Sequence, residues 1–173
     1  HSDPTWSIML LRYFNPVGAH VTAAIGEMPI GKPNNLVPLI TQTAAGLHEK
    51  MYVWGYDYDP RDGSCIRDYI HVMDIANAHT KALQFMMKNT HHSNCEIFNL
   101  GSGMGVSVLE AIRTFERVNE RQLNYELGPR REGDVIAVYA NNEKAVQLLD
   151  WSTKYSLEDM MLTAWKWQLK CAE

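Results

Sequence analysis

Ile8-Met-Leu-Leu-Arg-Tyr-Phe14 is the stretch that indicates the class of fold. Its apolar residues follow one another without alternation, which is typical of a strand buried on both faces in a parallel sheet flanked by helices. Such a strand so near residue 1 leaves one of its sheet neighbours unaccounted for. The chain also begins without an initiator methionine or a signal-peptide pattern. We therefore expect an interior start and a longer parent protein.

Outward from this strand, predicted strands alternate with predicted helices. Further strands are expected at residues 51–54, 96–100 and 124–127, and helices at 35–45, 71–88, from 107, at 142–149 and from 156. Asn35 is the expected N-cap of the first helix, and two of the later helices begin with capping-box patterns, Ser107-Val-Leu-Glu110 and Ser156-Leu-Glu-Asp159. Long polar loops at 15–35, 55–64 and 128–134 separate the elements. The alternation predicts an α/β fold.

Composition and charge exclude several classes of function. Of 173 residues, 46% are hydrophobic and 21% charged, so the chain should fold around a core. The net charge of -4 provides no basic field for nucleic acid or an anionic membrane, and the aliphatic run Ile8–Leu11 is too short to span a bilayer. Three widely spaced cysteines without a C-x-x-C pattern favour reduced thiols and a cytoplasmic protein.

The glycine-rich segment Gly101-Ser-Gly-Met-Gly105 resembles a phosphate-binding loop because it lies between a predicted strand and a helix. However, Val106 stands where the dinucleotide fingerprint needs its third glycine. We interpret this segment as a structural tight turn.

A metal site is a second possibility suggested by side-chain type. His71, Asp74 and His79 share one predicted helix, but offsets of three and five residues do not bring all three to one face. We expect no metal site.

Anion-binding and base-binding side chains form the strongest candidate pattern. The turn Gly128-Pro-Arg-Arg-Glu-Gly-Asp134 presents two guanidinium groups, which suits either a phosphate or a solvated loop. Arg67 lies among apolar neighbours and needs a partner, either an acidic residue (Asp68 or Asp74) or a bound anion. The aromatic segment Tyr52-Val-Trp54 is either core strand or a wall for a flat base.

Five motifs in order make the chain resemble the UDP-glucose (UDP-galactose) 4-epimerase family of extended short-chain dehydrogenases/reductases. They are Leu11-Arg-Tyr-Phe-Asn-Pro-Val-Gly-Ala-His20, Pro33-Asn-Asn-Leu36, Arg67-Asp-Tyr-Ile-His-Val-Met-Asp74, Phe98-Asn-Leu-Gly-Ser-Gly103 and Arg130-Arg-Glu-Gly-Asp134. The resemblance implies that residues 1–173 are the C-terminal, substrate-binding part of an NAD(P)-binding Rossmann-like fold. The N-terminal NAD-binding half would then be absent from this chain.

On the nucleoside side, the resemblance implies that Asn35 and Leu36 hold the nucleotide. Tyr52, Val53 and Trp54 would line the uracil and ribose.

On the diphosphate side, the resemblance implies that Arg67 and Arg131 bind the two phosphates and that Asp134 binds the ribose. Asn15 would contact the diphosphate and sugar, and Phe14 would pack near the nicotinamide of NAD.

The implied activity is interconversion of UDP-galactose and UDP-glucose, with NAD taking the C4 hydride and returning it to the other face of the sugar. The resemblance also implies that the complete enzyme assembles as a homodimer. The alternatives are a UDP-sugar-binding module without chemistry, and another nucleotide-sugar-modifying enzyme of the same superfamily.

Two departures from the family pattern bear on that activity. The Y-x-x-x-K pair and the NAD glycine motif are missing from the chain, so we expect this chain alone to be inactive and to carry no catalytic residue. Val138 stands where family members vary in bulk beside the sugar, and a compact valine suggests room for N-acetylated UDP-hexosamines.

Overall fold

The computed structural model describes residues 5–31, 33–59, 61–88 and 94–172. The strands are β1 (Ile8–Tyr13), β2 (Asn15–Val17), β3 (Met51–Trp54), β4 (Ile66–Arg67), β5 (Tyr69–His71), β6 (Cys95–Leu100), β7 (Val106–Ser107), β8 (Tyr125–Gly128) and β9 (Ala137–Val138). The helices are α1 (Leu36–Ala44), α2 (Val72–Lys88), α3 (Val108–Asn119), α4 (Glu143–Leu149) and α5 (Leu157–Lys170).

Parallel pairing dominates the strands in the described ranges. β1 pairs with β6, β2 with β5 and β3 with β8, all in parallel. β4 lies between β7, which is antiparallel to it, and β9, which is parallel. Helix α1 connects β2 to β3, α2 connects β5 to β6, and α3 connects β7 to β8, so the predicted α/β class is confirmed.

The first strand is covered on one face only, and the expectation of two buried faces is wrong. Met9 and Leu11 pack against the apolar cluster around Phe98, while Ile8 and Leu10 on the opposite face are 43% and 47% exposed. The reason is that side chains alternate across a strand, and α2 packs beside β1 on the face of Met9 and Leu11, which leaves the face of Ile8 and Leu10 exposed.

Two apolar cores hold the elements in place. The larger one joins α1, α3 and α5 to β3, and includes Ile40, Val53, Phe115, Met161 and Trp165. The smaller one packs α2 and α4 on β6 through Phe98, Leu100, Ile75, Ala145 and Trp151. Because the larger core contains alternate residues of β3, the other residues of that strand are turned away from it.

Helix ends follow the predicted chemistry in part. Both capping boxes form, at Ser107 with Glu110 and at Ser156 with Asp159. Asn35 is the N-cap residue of α1, but its side chain makes no cap hydrogen bond and instead donates to Glu27 Oε1 at 2.8 Å. The prediction of an asparagine side-chain cap is therefore wrong.

Several strands are too short for a sequence pattern to indicate. β2 lies inside the predicted loop 15–35, and β5 ends at His71, which we expected to begin α2. A strand of two or three residues has no measurable period, so only its pairing partner defines it. None of the helices in the described ranges is long and apolar enough to cross a membrane.

Candidate nucleotide site

A cavity of about 460 Å³ lies between the amino end of α1, β3 and the loop after β8. Every predicted substrate-binding residue except Val138 borders it. Val138 lies on β9 directly opposite Arg67 of β4, and is 39% exposed. Residues from six separate stretches of the chain therefore converge on one space.

One end of the cavity carries two guanidinium groups around one carboxylate. Arg131 Nη2 lies 3.0 Å from Asp134 Oδ1, and Arg67 Nη2 lies 3.8 Å from the same oxygen. Arg67 Nη1 also donates to the carbonyl oxygens of Ile66 and Val135, at 2.8 and 2.7 Å. The partner of Arg67 is thus Asp134, and the expectation of Asp68 or Asp74 is wrong.

The two adjacent arginines of the loop point to different places. Arg130 Nε donates to Asp57 Oδ1 at 2.8 Å, and its guanidinium lies 4.4 Å from the centre of the Tyr58 ring. The Asp57 hydrogen bond raises the pKa of Arg130, and the same bond lowers the pKa of Asp57. Only Arg131 of the pair borders the cavity, so the turn does not present both guanidinium groups to one space.

An aromatic wall lines the middle of the cavity. Tyr52 and Trp54 stack on each other with ring centres 5.5 Å apart, and they are 40% and 44% exposed. Val53 between them is 1% exposed and belongs to the larger core. The alternation turns both rings towards the cavity and the Val53 side chain towards the core.

Asparagine side chains border the cavity from two other directions. Asn35 and Leu36 lie at the start of α1, and Asn15 follows β1 with its backbone N–H donating to the Asp68 carbonyl at 3.0 Å. A second cavity of about 170 Å³ is lined by Phe14 together with Asn15, Asn35 and Leu36. The two cavities share these last three residues, so Phe14 lies beside the main site.

The glycine-rich turn after β6 binds a carboxylate of the protein itself. The fully buried Asp68 accepts from the Ser102 amide and hydroxyl at 2.8 and 2.6 Å, and from the amides of Gly103 and Ala140 at 3.0 Å. A Cβ at Gly101 would lie 2.5 Å from Asp68 Oδ2. The prediction of a structural turn is confirmed, because its anion-binding amides are already occupied.

Comparisons with known proteins identify the family of the chain. Residues 5–163 match the family model described as GDP-mannose 4,6 dehydratase. The chain belongs to this family. Among similar proteins is UDP-glucose 4-epimerase 1 of Oryza sativa subsp. japonica, 46% identical over 98% of this chain and 48% of the relative. UDP-glucose 4-epimerase of Bacillus subtilis is 45% identical over 96% of this chain and 48% of the relative.

Solved structures of family members superpose closely on the chain. UDP-glucose-4-epimerase from Stenotrophomonas maltophila, with bound NAD and formylated UDP-arabinopyranose, gives a TM-score of 0.92 at 45% identity, covering 96% of this chain and 48% of that one. The enzyme from Bifidobacterium longum with NAD+ and UDP gives 0.90 at 41% identity, covering 98% and 49%. These are extended short-chain dehydrogenase/reductase folds of Rossmann type, which confirms the predicted fold family. The chain spans about half the length of the curated relatives it matches.

The described residues offer little to a dinucleotide. The one glycine-rich turn with a phosphate-binding pattern has its amides on Asp68, so it does not fit the pyrophosphate of NAD. Phe14 lines the smaller cavity of about 170 Å³ beside the main site, where an aromatic face suits contact with a flat ring. Of these two features, Phe14 is the one that suits a contact with the nicotinamide ring.

His71 at the end of β5 and Asp74 in the first turn of α2 serve the fold. His71 is fully buried, accepts from the Met73 amide at 3.0 Å, and shares a hydrogen bond with Thr163. Burial lowers the pKa of His71 to about 4. Asp74 accepts from the amides of Lys154 and Tyr155, and burial raises its pKa. Across residues 5–31, 33–59, 61–88 and 94–172, no three metal-ligating side chains lie together.

Sequence reasoning missed several residues of the cavity wall. Asn34, His48, Lys50, Cys65 and Tyr69 all border the main cavity. Lys50 could have been found, because it precedes Tyr52 and Trp54 at a spacing of two and so shares their face of the strand. Asn34 adjoins Asn35 in the same motif and could also have been found. Tyr69, by contrast, reaches the cavity because β5 pairs with β2, which no local pattern indicates.

Proposed function

We propose that this chain is the UDP-sugar-binding part of an NAD-dependent UDP-glucose 4-epimerase that interconverts UDP-galactose and UDP-glucose. The observation that supports this most directly is the convergence of Arg67 and Arg131 on one cavity whose wall is the Tyr52 and Trp54 pair. Guanidinium groups bind phosphates through paired hydrogen bonds, and an aromatic face suits a flat base. Both parts of a uridine diphosphate thus find a matching surface.

The carboxylate of Asp134 keeps the two arginines together before a ligand arrives. Its side chain is 13% exposed, against 65% for Arg131. A diphosphate would approach from the exposed side of Arg131, and the ribose hydroxyls would then meet the Asp134 oxygens as hydrogen-bond donors. Arg67 would need little rearrangement, since two backbone carbonyls already fix its guanidinium.

In this proposal, most of the free energy of substrate binding comes from contacts with the UDP moiety. A hexose that must present both faces of C4 has to turn, so its firm attachment belongs elsewhere on the substrate. NAD, when bound, supplies the acceptor for the C4 hydride, and Phe14 and Asn15 would border the sugar and the nicotinamide. The residues that hold NAD and move the proton would come from a preceding N-terminal half of the protein. The complete protein would be cytoplasmic and would assemble as a homodimer.

Isothermal titration of the chain with UDP tests the binding role. We expect saturable binding in which Arg131→Gln weakens the affinity roughly tenfold or more, because a charge-assisted contact is lost. Arg130→Gln is the matched control, since Arg130 pairs with Asp57 outside the cavity. Absence of UDP binding, or equal effects of the two variants, would overturn the proposal. UDP binding without turnover, once an NAD-binding half is supplied, would favour a binding module.

We further propose that N-acetylated UDP-hexosamines are accepted beside Val138. The Val138 side chain is short and partly exposed, and Val138 on β9 pairs with Arg67 on β4. UDP-N-acetylglucosamine should therefore bind about as tightly as UDP-glucose. Val138→Tyr should weaken only the N-acetylated ligand, and equal weakening of both would contradict the proposal.

A further inference from the structure

Lys50, directly before β3, continues the row that Tyr52 and Trp54 form along the cavity face of that strand. Met51 and Val53, the alternate residues, are buried, which turns the other three to the same side. Lys50 Nζ lies 5.4 Å from the centre of the Tyr52 ring, and that ring stacks on Trp54. All three residues border the main cavity. The row therefore presents a cation at one end and two aromatic faces beside it.

The row has a defined direction relative to the arginines. Trp54 pairs with Gly128, where the loop that carries Arg131 begins. Lys50 lies four residues back, roughly 13 Å along an extended strand. A nucleotide with its phosphates at the arginine end therefore extends its base towards Lys50.

The lysine faces the cavity as a hydrogen-bond donor. Its Nζ lies 2.7 Å from Glu126 Oε1, and hydrogen bonds to Glu126 and Tyr52 raise the pKa of Lys50. An ammonium group has three N–H donors and no acceptor. Lys50 borders the cavity, whereas Glu126 stands beside it on β8, outside the lining. The charged group that a base edge would meet is thus a donor.

We infer that Lys50 donates a hydrogen bond to a carbonyl oxygen on the base and so selects uracil over cytosine. This inference rests on the proposed function, and it assigns the base specificity of the same site. Uracil presents an oxygen acceptor at position 4, where cytosine presents an amino donor. A side chain that only donates favours uracil and disfavours cytosine, because two donors facing each other leave both without an acceptor.

Titration with UDP, CDP and inorganic pyrophosphate tests this inference. We expect the chain to bind UDP about tenfold more tightly than CDP, and Lys50→Met to weaken UDP about tenfold while leaving pyrophosphate unchanged. Lys144→Met is the matched control. Lys144 also pairs with a glutamate, Glu96 at 2.6 Å, and lies over an aromatic ring, but it is away from the cavity. That variant should keep the UDP to CDP ratio of the original chain.

The outcomes distinguish a failure of the Lys50 role from a failure of the proposed function on which it rests. Equal affinity for UDP and CDP, or a UDP to CDP ratio that Lys50→Met does not change, overturns the role of Lys50 while UDP binding stands. Failure of the unchanged chain to bind both UDP and pyrophosphate overturns the nucleotide site itself. Circular dichroism of each variant confirms folding, since Lys50 is on the surface and its replacement leaves the core intact.

Discussion

The indole of Trp54 occupies the space in which a side chain at position 128 would stand. A Cβ built on Gly128 would lie 2.9 Å from Trp54 Cε3 and 3.1 Å from Cζ3. The two residues are paired across β3 and β8. The absence of a side chain at 128 therefore lets the ring lie flat along the cavity wall.

Gly128→Ala should displace the Trp54 ring and weaken UDP binding about fivefold or more, because stacking of a base on an aromatic ring would be lost. Stability should fall by less than about 1 kcal/mol, since the ring is 44% exposed and free to swing outward. Titration calorimetry measures the first effect and urea unfolding the second. In a Trp54→Ala background, Gly128→Ala should have no further effect on UDP affinity. A persistent effect of Gly128→Ala there would contradict the steric explanation.

Asp68→Asn should lower the free energy of unfolding by about 2 to 4 kcal/mol, because two buried donors lose the oxygen that accepts from them. Each Asp68 oxygen accepts two hydrogen bonds in the folded chain. Chemical denaturation measures the loss. Asp59→Asn, at an exposed position, is the control and should stay within about 0.5 kcal/mol. A similarly small change for Asp68→Asn would show that the carboxylate does not hold the turn.

Arg67 and Arg131 should differ in their effects on stability, although both weaken UDP binding. Arg67 bonds two backbone carbonyls and its side chain is 22% exposed, so Arg67→Gln should lower the free energy of unfolding by about 1 to 3 kcal/mol. Arg131 is 65% exposed, and Arg131→Gln should change stability by less than about 0.5 kcal/mol. Denaturation of both variants in parallel checks this, and equal losses would contradict the different fixation of the two groups.

The chain should lose stability as the pH falls from about 6.5 to about 4, in part through His71. Its pKa in the folded chain is about 4, below the ordinary value of 6.5, because burial disfavours the charged ring. The unfolded chain binds a proton in this window that the folded chain does not, which favours unfolding. Between pH 7 and pH 5 the cost from this residue should be about 1 to 2 kcal/mol.

Unfolding curves for the original chain and for His71→Asn, measured between pH 7 and 5, isolate this contribution. The asparagine oxygen can still accept from the Met73 amide, as Nδ1 does, but it does not titrate in this range. The free energy of unfolding of the variant should therefore depend less on pH. Identical pH dependence in the two proteins would contradict the role of His71.

Much of the local structure could be predicted from short stretches of sequence. The capping boxes at Ser107 and Ser156 and the strand at residues 51–54 depend on neighbours within three or four positions, which a pattern can show. The resemblance to a family also indicated half of the described residues that border the cavity, because a resemblance transfers positions one by one. Burial was less predictable, as the exposed side of β1 shows, since it depends on what another segment covers.

What the sequence by itself determined is therefore the alternation of elements, the helix starts and the set of residues with suitable chemistry. Only the tertiary structure decided that Arg67 pairs with Asp134, that Arg130 turns to Asp57 while Arg131 borders the cavity, and that Asp68 occupies the glycine-rich turn. The physical reason is distance along the chain. A charged or polar side chain takes whichever partner the packing of remote segments brings within about 3 Å, and that choice is not encoded in its neighbours.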